Sequence, residues 1–325
     1  MNPQKNASHE IWQLKFNDST SSHSLWLRFS VLVSKNGFRE IAEVWAILTH
    51  RGAQNELKKT ALKQSFELNQ FRKQEPCAIQ MGECALNLTG STGRIQSKGQ
   101  SLQWNLSWTP QENLSFQAIP SLLRQSFFSH HSHFTHQEDL SISGSFTLND
   151  ERIEISFAHA CLSQISLPST WNEEAWAHCN EFKTEQGEKS DFIFEAYSAR
   201  PCLGPITLPP FSSFYLRYEQ KIYALNLFRH AVFQKSTYDI NGWTFQIDQG
   251  DLSFRGQIKA ELRDFTGLTY ETINGSLLFS SHSNTSNLKV LVYRRGKLES
   301  TLVSQGTTAF EISSKQKNPY IPNLL

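Results

Sequence analysis

The sequence predicts an all-β chain made of two packed, antiparallel barrel-like domains with a few short helices. Apolar and polar residues alternate along many short runs separated by turn residues, which is the period-2 pattern of half-buried strands and not the 3.6-residue period of helices. The chain also holds 23 Phe, 8 Trp and 8 Tyr, side chains that bury large surfaces on a pleated sheet. At 325 residues it exceeds the roughly 250–300 residues at which one core stops growing, so two domains are expected.

The elements follow in chain order. Trp12-Gln13-Leu14-Lys15-Phe16 reads as a strand, and the runs 24–33 and 43–48 flank Asn36-Gly37, a pair that supplies the positive φ angles of a tight hairpin turn. The runs 142–148 and 153–157 flank Asn149-Asp150 as a second hairpin, and Leu277-Leu278-Phe279 follows Asn274-Gly275 as a third. The runs 192–197, 214–218, 243–247 and 288–293 complete the clearest strands. Short helices are expected where Ile119, Leu122, Leu123 and Phe127, and again Leu225, Phe228, Ala231 and Val232, fall on one helical stripe. Prolines at 201, 205, 209 and 210 interrupt the alternation and remove ladder donors. The expected division is therefore 1–200 and 205–325. Trp12-Gln13-Leu14-Lys15-Phe16 and Trp243-Thr244-Phe245-Gln246-Ile247 form a weak repeat across it.

Composition excludes several classes of function. Lys plus Arg total 31 against 30 Asp plus Glu and no basic run is present, so nucleic-acid binding is not expected. Five scattered cysteines, Cys77, Cys84, Cys161, Cys179 and Cys202, suit a reducing compartment better than a disulfide framework. The N-terminal stretch is polar and no apolar run reaches membrane-spanning length. A cytoplasmic location without a transmembrane segment is the expectation. Phosphate-loop, dinucleotide, nucleophile-elbow and zinc-protease motifs are all missing.

Two polar clusters remain. His130, His131, His133 and His136 have spacing that permits a metal, but no carboxylate or thiolate stands in close register, so a solvated loop is expected and no metal or other cofactor is assigned. In Trp176-Ala177-His178-Cys179-Asn180-Glu181-Phe182, an extended backbone puts Trp176, His178, Asn180 and Phe182 on one face. An imidazole titrating near neutrality among aromatic walls could orient or protonate an apolar substrate. The plainer alternative is a core histidine satisfied by a backbone carbonyl. Arg28, alternating with Trp26, and Arg217, between Leu216 and Tyr218, are interior cations or surface charges, with the surface favoured. Glu271 sits near a turn and is expected to be solvated.

Residues 10–16, 25–29, 43–46, 141–146 and 176–182, with Gly267-Leu268-Thr269-Tyr270-Glu271, Asn274-Gly275-Ser276 and Ala309-Phe310-Glu311, resemble the lipocalin-like two-domain proteins. These include hydroxyneurosporene synthase (a carotenoid hydratase), AttH-like proteins and, more remotely, tocopherol cyclases. The resemblance implies two lipocalin-like (calycin-like) barrels and a cavity for an isoprenoid or other lipid. Enzymatic members carry a His-x-Trp-Gly element where this chain has Gln164 and Ser166. Glutamine is no useful proton donor, which leaves His178 as the acid candidate.

Three readings follow. The first is binding of a lipophilic small molecule without catalysis, with Trp26, Arg28, Trp45 and Trp176 lining the site. The second is a cofactor-independent hydratase, cyclase or isomerase acting on an isoprenoid, with His178 as general acid and Asn180 positioning water. The third is an interaction protein whose core is filled by its own side chains. A second ionisable group facing the same space as His178, such as Glu181 or Glu271, would favour the enzyme.

Overall fold

The computed structural model describes residues 7–35, 37–74, 78–111, 115–121, 132–166, 171–203, 206–227 and 235–325. Strands dominate them, as the alternation predicts. The first sheet is built from β1 (Ser8–Asp18), β2 (His23–Val33), β3 (Glu40–Arg51), β4 (Leu57–Phe66), β5 (Phe71–Gln74), β6 (Ala78–Met81), β7 (Cys84–Leu86), β8 (Gly90–Ser97), β9 (Gln100–Trp108), β10 (Phe116–Gln117), β11 (Ser132–Leu148) and β12 (Glu151–Ser166). The second is built from β13 (Trp171–Cys179), β14 (Phe182–Thr184), β15 (Lys189–Ser190), β16 (Ile193–Leu203), β17 (Ile206–Thr207), β18 (Phe211–Tyr218), β19 (Lys221–Leu225), β20 (Lys235–Asp239), β21 (Gly242–Gln249), β22 (Leu252–Lys259), β23 (Thr266–Glu271), β24 (Leu277–Arg294) and β25 (Lys297–Ser314).

All three expected hairpins form: β2 pairs with β3, β11 with β12, and β23 with β24. Asn149 and Gly275 hold the positive φ angles, 54° and 78°, that their turns require. The chain passes from one sheet to the other between Ser166 and Trp171. The proline-bearing segment near 200–210, expected to mark a domain boundary, instead lies inside the second sheet, where β16 pairs antiparallel with β18. Both expected helical stripes run into residues 122–131 and 228–234, outside the described residues.

The two sheets share one topology. The first runs β4-β3-β2-β1-β12-β11-β9-β8 and the second β19-β18-β16-β13-β25-β24-β22-β21, and a short strand, β10 or β23, pairs with the long bent strand, β11 or β24, in each. Register shifts bend both long hairpins, as bulges must where a sheet curls. The repeat read from Trp12 and Trp243 matches β1 to β21, which are not equivalent; the topological partner of β1 is β13.

Each sheet curls around an apolar interior. In the first, Trp12, Leu14, Phe16, Trp104 and Phe146 fill it, and Gln96 N donates to Gln64 Oε1 at 2.9 Å, drawing β8 against β4 so that the barrel nearly closes. In the second, Phe194, Phe214, Phe245, Trp243 and Phe254 do the same, with Phe194 and Phe245 stacked at 4.8 Å. Rings of this size in contact leave side chains where a lipocalin-like barrel would hold its ligand. Among the described residues, aromatic and aliphatic side chains occupy much of each interior.

Candidate functional site

Alternation sends every second residue of β1 away from the first interior. Gln13, Lys15 and Asn17 are nonetheless 2%, 1% and 4% exposed, because the second sheet covers that face. The same holds on β13, where Ala175, Ala177 and Cys179 enter the second interior while Trp176, His178 and Asn180 face the other way and are also buried. The two outer faces meet in a seam. Contacts across it include Asn17 Nδ2 donating to the Asn284 carbonyl at 2.9 Å and Thr135 Oγ1 donating to Glu195 Oε1 at 2.7 Å. The Arg28 guanidinium lies 3.8 Å from the Tyr270 ring centroid.

The seam brings together all six residues singled out from the sequence, in different settings. Trp26, Arg28 and Trp45 pack with Leu268 and Tyr270, so Arg28 is neither a surface charge nor a barrel-interior one. Trp176 donates its indole N–H to Glu195 Oε1 at 3.0 Å and packs in a second apolar cluster with Phe116, Tyr197 and Tyr215. His178, fully buried, donates from Nε2 to the Glu138 carbonyl at 2.9 Å. Burial, reinforced by the charge of Lys15, holds its pKa down at about 3. A ring neutral at pH 7, with that N–H committed to a carbonyl, is a poor general acid. Asn180 Nδ2 is spent on the Glu138 and Ala160 carbonyls and Asp139 Oδ1. These two residues brace β13 against the bulge in β11, and neither lines the seam's cavity.

That cavity, about 20 Å³, is lined by Gln13, His133, Ile165, Glu174, Trp176, Tyr197, Glu311 and Ser313. It is room for one water. Its two carboxyls are perturbed in opposite senses. Burial pushes Glu174 up, against the Tyr197 hydroxyl that donates to its Oε2 at 2.8 Å. Burial acts on Glu311 in the same direction, but His282 Nδ1 at 2.8 Å, Arg28 at 4.0 Å and Ser280 Oγ at 2.7 Å outweigh it and hold the carboxyl down at about 2. Behind the cavity wall, burial raises Glu195 but the neighbouring His133 and His178 and the Trp176 N–H lower it further. His133 Nε2 stands 3.5 Å from its carboxylate. Glu138, 2% exposed, is pushed up to about 7 by burial, although Tyr215 and Arg217 oppose the shift.

The sequence reading missed most of this constellation. His133 was expected in a solvated loop; it lies on β11, 1% exposed, with its ring 5.9 Å from that of Trp176. His130 and His131 fall outside the described residues, and among the described residues no group of His, Cys, Asp and Glu has metal-site geometry. Arg217, expected at the surface, forks onto Glu138 and Asp139 at 3.1 Å each. Glu271 is paired at the periphery with Arg39, and Glu181 does not line the cavity. Gln164 bonds His136 at 3.1 Å and lies on the face of β12 opposite to Ser163 and Ile165, so its replacement of the expected histidine does not alter the cavity. The one available signal was alternation around Trp176, which places Glu174 on its face.

No family model matches the sequence, and no curated protein matches it. Solved structures share the fold along nearly the whole chain. An AttH-type protein of Nitrosomonas europaea aligns with a TM-score of 0.53 at 12% identity, covering 97% of this chain and 96% of that one. CghA with Sch210972 aligns with a TM-score of 0.59 at 9% identity, covering 96% and 90%. Kievitone hydratase from Nectria haematococca aligns with a TM-score of 0.52 at 8% identity, also covering 96% and 90%. The chain has the all-β, lipocalin-like fold of these proteins, and no described helix is long and apolar enough to cross a membrane.

Proposed function

We propose that the chain binds an apolar small molecule, of isoprenoid or similar lipid character, in the seam between its two sheets and acts on it by cofactor-independent acid–base chemistry. The observation that carries this reading is the pair Glu174 and Glu311, which line one cavity with pKa values displaced in opposite directions. Carboxyls pushed apart by their surroundings divide the roles of proton donor and charge stabiliser. Glu174, which burial shifts toward its protonated form, is the proton donor to an alkene or hydroxyl. Glu311, held ionised by His282 and Arg28, offers its negative charge to the cationic character that develops on the protonated substrate. The aromatic clusters on either side supply apolar walls for the rest of the molecule.

Hydration, dehydration, cyclisation and isomerisation all fit this set. That a hydratase and a small-molecule complex of CghA occur among the structures sharing the fold supports the reading. The cavity holds only one water, so substrate admission requires Trp176 and Tyr197 to move. Ligand binding is expected to change the tryptophan fluorescence.

The test is incubation with a lipid extract of the source cells, followed by mass spectrometry of retained and released compounds. A species gaining or losing one water, or keeping its mass with a new retention time, is expected with the native chain and is lost in Glu174→Gln and Glu311→Gln. Retention of a ligand without conversion would establish the noncatalytic binder instead. Neither retention nor conversion would leave the filled-core interaction protein.

A further inference from the structure

The aromatic cluster of Trp26, Trp45, Leu268 and Tyr270 is buried in the seam. It reaches the cavity of Glu174 and Glu311 through Tyr270, whose hydroxyl donates to Glu311 Oε1 at 3.5 Å and whose ring carries the Arg28 guanidinium. Among the described residues, three partly buried apolar side chains pack against this cluster: Ala61, Leu278 and Leu325. The first two are fixed by long ladders, Ala61 in β3–β4 and Leu278 in β23–β24. Leu325 is held differently. It belongs to the segment 318–325, which meets β23 through an isolated parallel bridge between Gly267 and Asn323.

The composition of that segment explains its sparse pairing. Pro319 and Pro322 have no backbone N–H, so the segment cannot zip along β23 as a further strand. Its backbone bonds run from the Gly267 N–H to the Pro322 carbonyl at 3.0 Å, from the Leu324 N–H to the Gly267 carbonyl at 2.9 Å and from the Thr269 N–H to the Leu325 carbonyl at 3.0 Å. Asn323 Nδ2 donates to Thr269 Oγ1 at 2.8 Å, and Lys98 Nζ, from the first sheet, to the Leu324 carbonyl at 2.9 Å; both bonds are exposed. Gly267 permits the close approach: a Cβ there would stand 2.8 Å from the Pro322 carbonyl oxygen and 3.1 Å from Asn323 Cα. Ile321, in contrast, is buried in the second interior and fixes the segment at that point. We propose, on the reading that the seam holds the ligand, that residues 322–325 are a strap that swings about Ile321 and admits an apolar molecule to the seam past Leu325. Of the three covers, the strap breaks the fewest hydrogen bonds on leaving, and the segments of lowest local stability are the ones that open.

Two measurements on the full chain test the strap. In hydrogen exchange, the Gly267, Thr269 and Leu324 amides, which bond across the strap, are expected to exchange at least about a hundredfold faster than the amides paired between β23 and β24. In stopped-flow fluorescence, uptake of the apolar probe N-phenyl-1-naphthylamine is expected to follow strap opening. A disulfide joining Thr269→Cys to Asn323→Cys, positions whose side chains already touch, should slow uptake about tenfold or more, and reduction should restore it. Gly267→Ala, which pushes Pro322 away without altering the aromatic cluster, should speed uptake about threefold or more. Asn323→Ala loosens the strap more gently and serves if that variant does not fold. Strap amides as protected as the β23–β24 ladder, or equal uptake by the oxidised and reduced double variant, overturns the strap as the entrance and leaves ligand binding in the seam standing. Fast strap exchange with no uptake by either loosened variant overturns the seam as a ligand site, and the entrance with it.

Discussion

The two halves of the chain repeat one strand order but carry opposite chemistry on the faces they press together. On the central strands of the first half, the seam positions are Gln13, Lys15 and Arg28; on the matching strands of the second they are Trp176, His178, Glu195, Tyr197 and Glu311. The registers align Gln13 with Arg28 in one sheet and Trp176 with Tyr197 and Glu311 in the other. The alternation that makes both sheets is kept, while the identity of the outward-facing residues is free. The half that supplies cations from β1 and β2 thus meets the half that supplies carboxylates. The exchange also runs in reverse at the β11 bulge, where first-half Glu138 and Asp139 receive second-half Arg217.

The largest expected effect treats the halves alike. His9 on β1 and His178 on β13 are both buried, and burial, aided by Arg28 and Lys15 respectively, holds each near pKa 3. Each ring is neutral when folded, whereas the unfolded ring takes up a proton below about 6.5. Each therefore contributes stability that is present above 6.5 and lost as pH falls toward 3. The loss is on the order of 4 kcal/mol per residue. Acid unfolding followed by circular dichroism should begin below pH 6, and His9→Gln or His178→Gln should each move its midpoint to lower pH. An unchanged midpoint in both variants would mean that these rings titrate normally.

Next in size is the reverse exchange. Arg217→Ala leaves Glu138 and Asp139 without their fork and should cost about 3–5 kcal/mol in urea unfolding at pH 7. The cost should shrink as pH falls and Glu138, already raised to about 7, is protonated. A cost independent of pH would place the effect in packing and not in charge.

Lys15 sharpens the comparison from the other side. It is 1% exposed, its single hydrogen bond runs to the Thr307 carbonyl at 3.3 Å, and burial lowers its pKa. No carboxylate stands within ion-pair distance of it among the described residues. Lys15→Met should therefore stabilise the chain by about 1–3 kcal/mol. It should also let His178 titrate higher, readable from its ring resonances. Destabilisation would show that the cation is needed to balance the carboxylates opposite. The smallest effect lies at the periphery: Arg39→Ala removes a pair with Glu271 whose partners are 46% and 28% exposed and should cost less than about 1 kcal/mol.

Much of the fold was legible because its signal is local. Alternating runs and Asn-Gly or Asn-Asp turns specify hairpins within about twenty residues, and β2–β3, β11–β12 and β23–β24 formed where those signals stand. The proline-rich segment misled because prolines end strands without ending a sheet; β16 and β18 pair across it. At the site, alternation correctly put Trp176, His178 and Asn180 on one face. It could not tell that His178 would meet a backbone carbonyl of β11 while Glu174, two residues before Trp176, would meet Tyr197 and a cavity.

Sequence alone determined that this is an antiparallel, aromatic-rich, all-β chain with its hairpins in place, since period-2 patterning and turn residues act over a few neighbours. Only the tertiary structure decided which of two buried faces of β1 and β13 became seam and which became barrel interior, because both faces carry residues that end up out of water. It also decided the directions in which the pKa values of Glu174, Glu195 and Glu311 are displaced. Each shift arises from burial by, and charges on, strands far away in sequence, such as Arg28 against Glu311 and His133 against Glu195, and a carboxyl's pKa is set by what surrounds it in space.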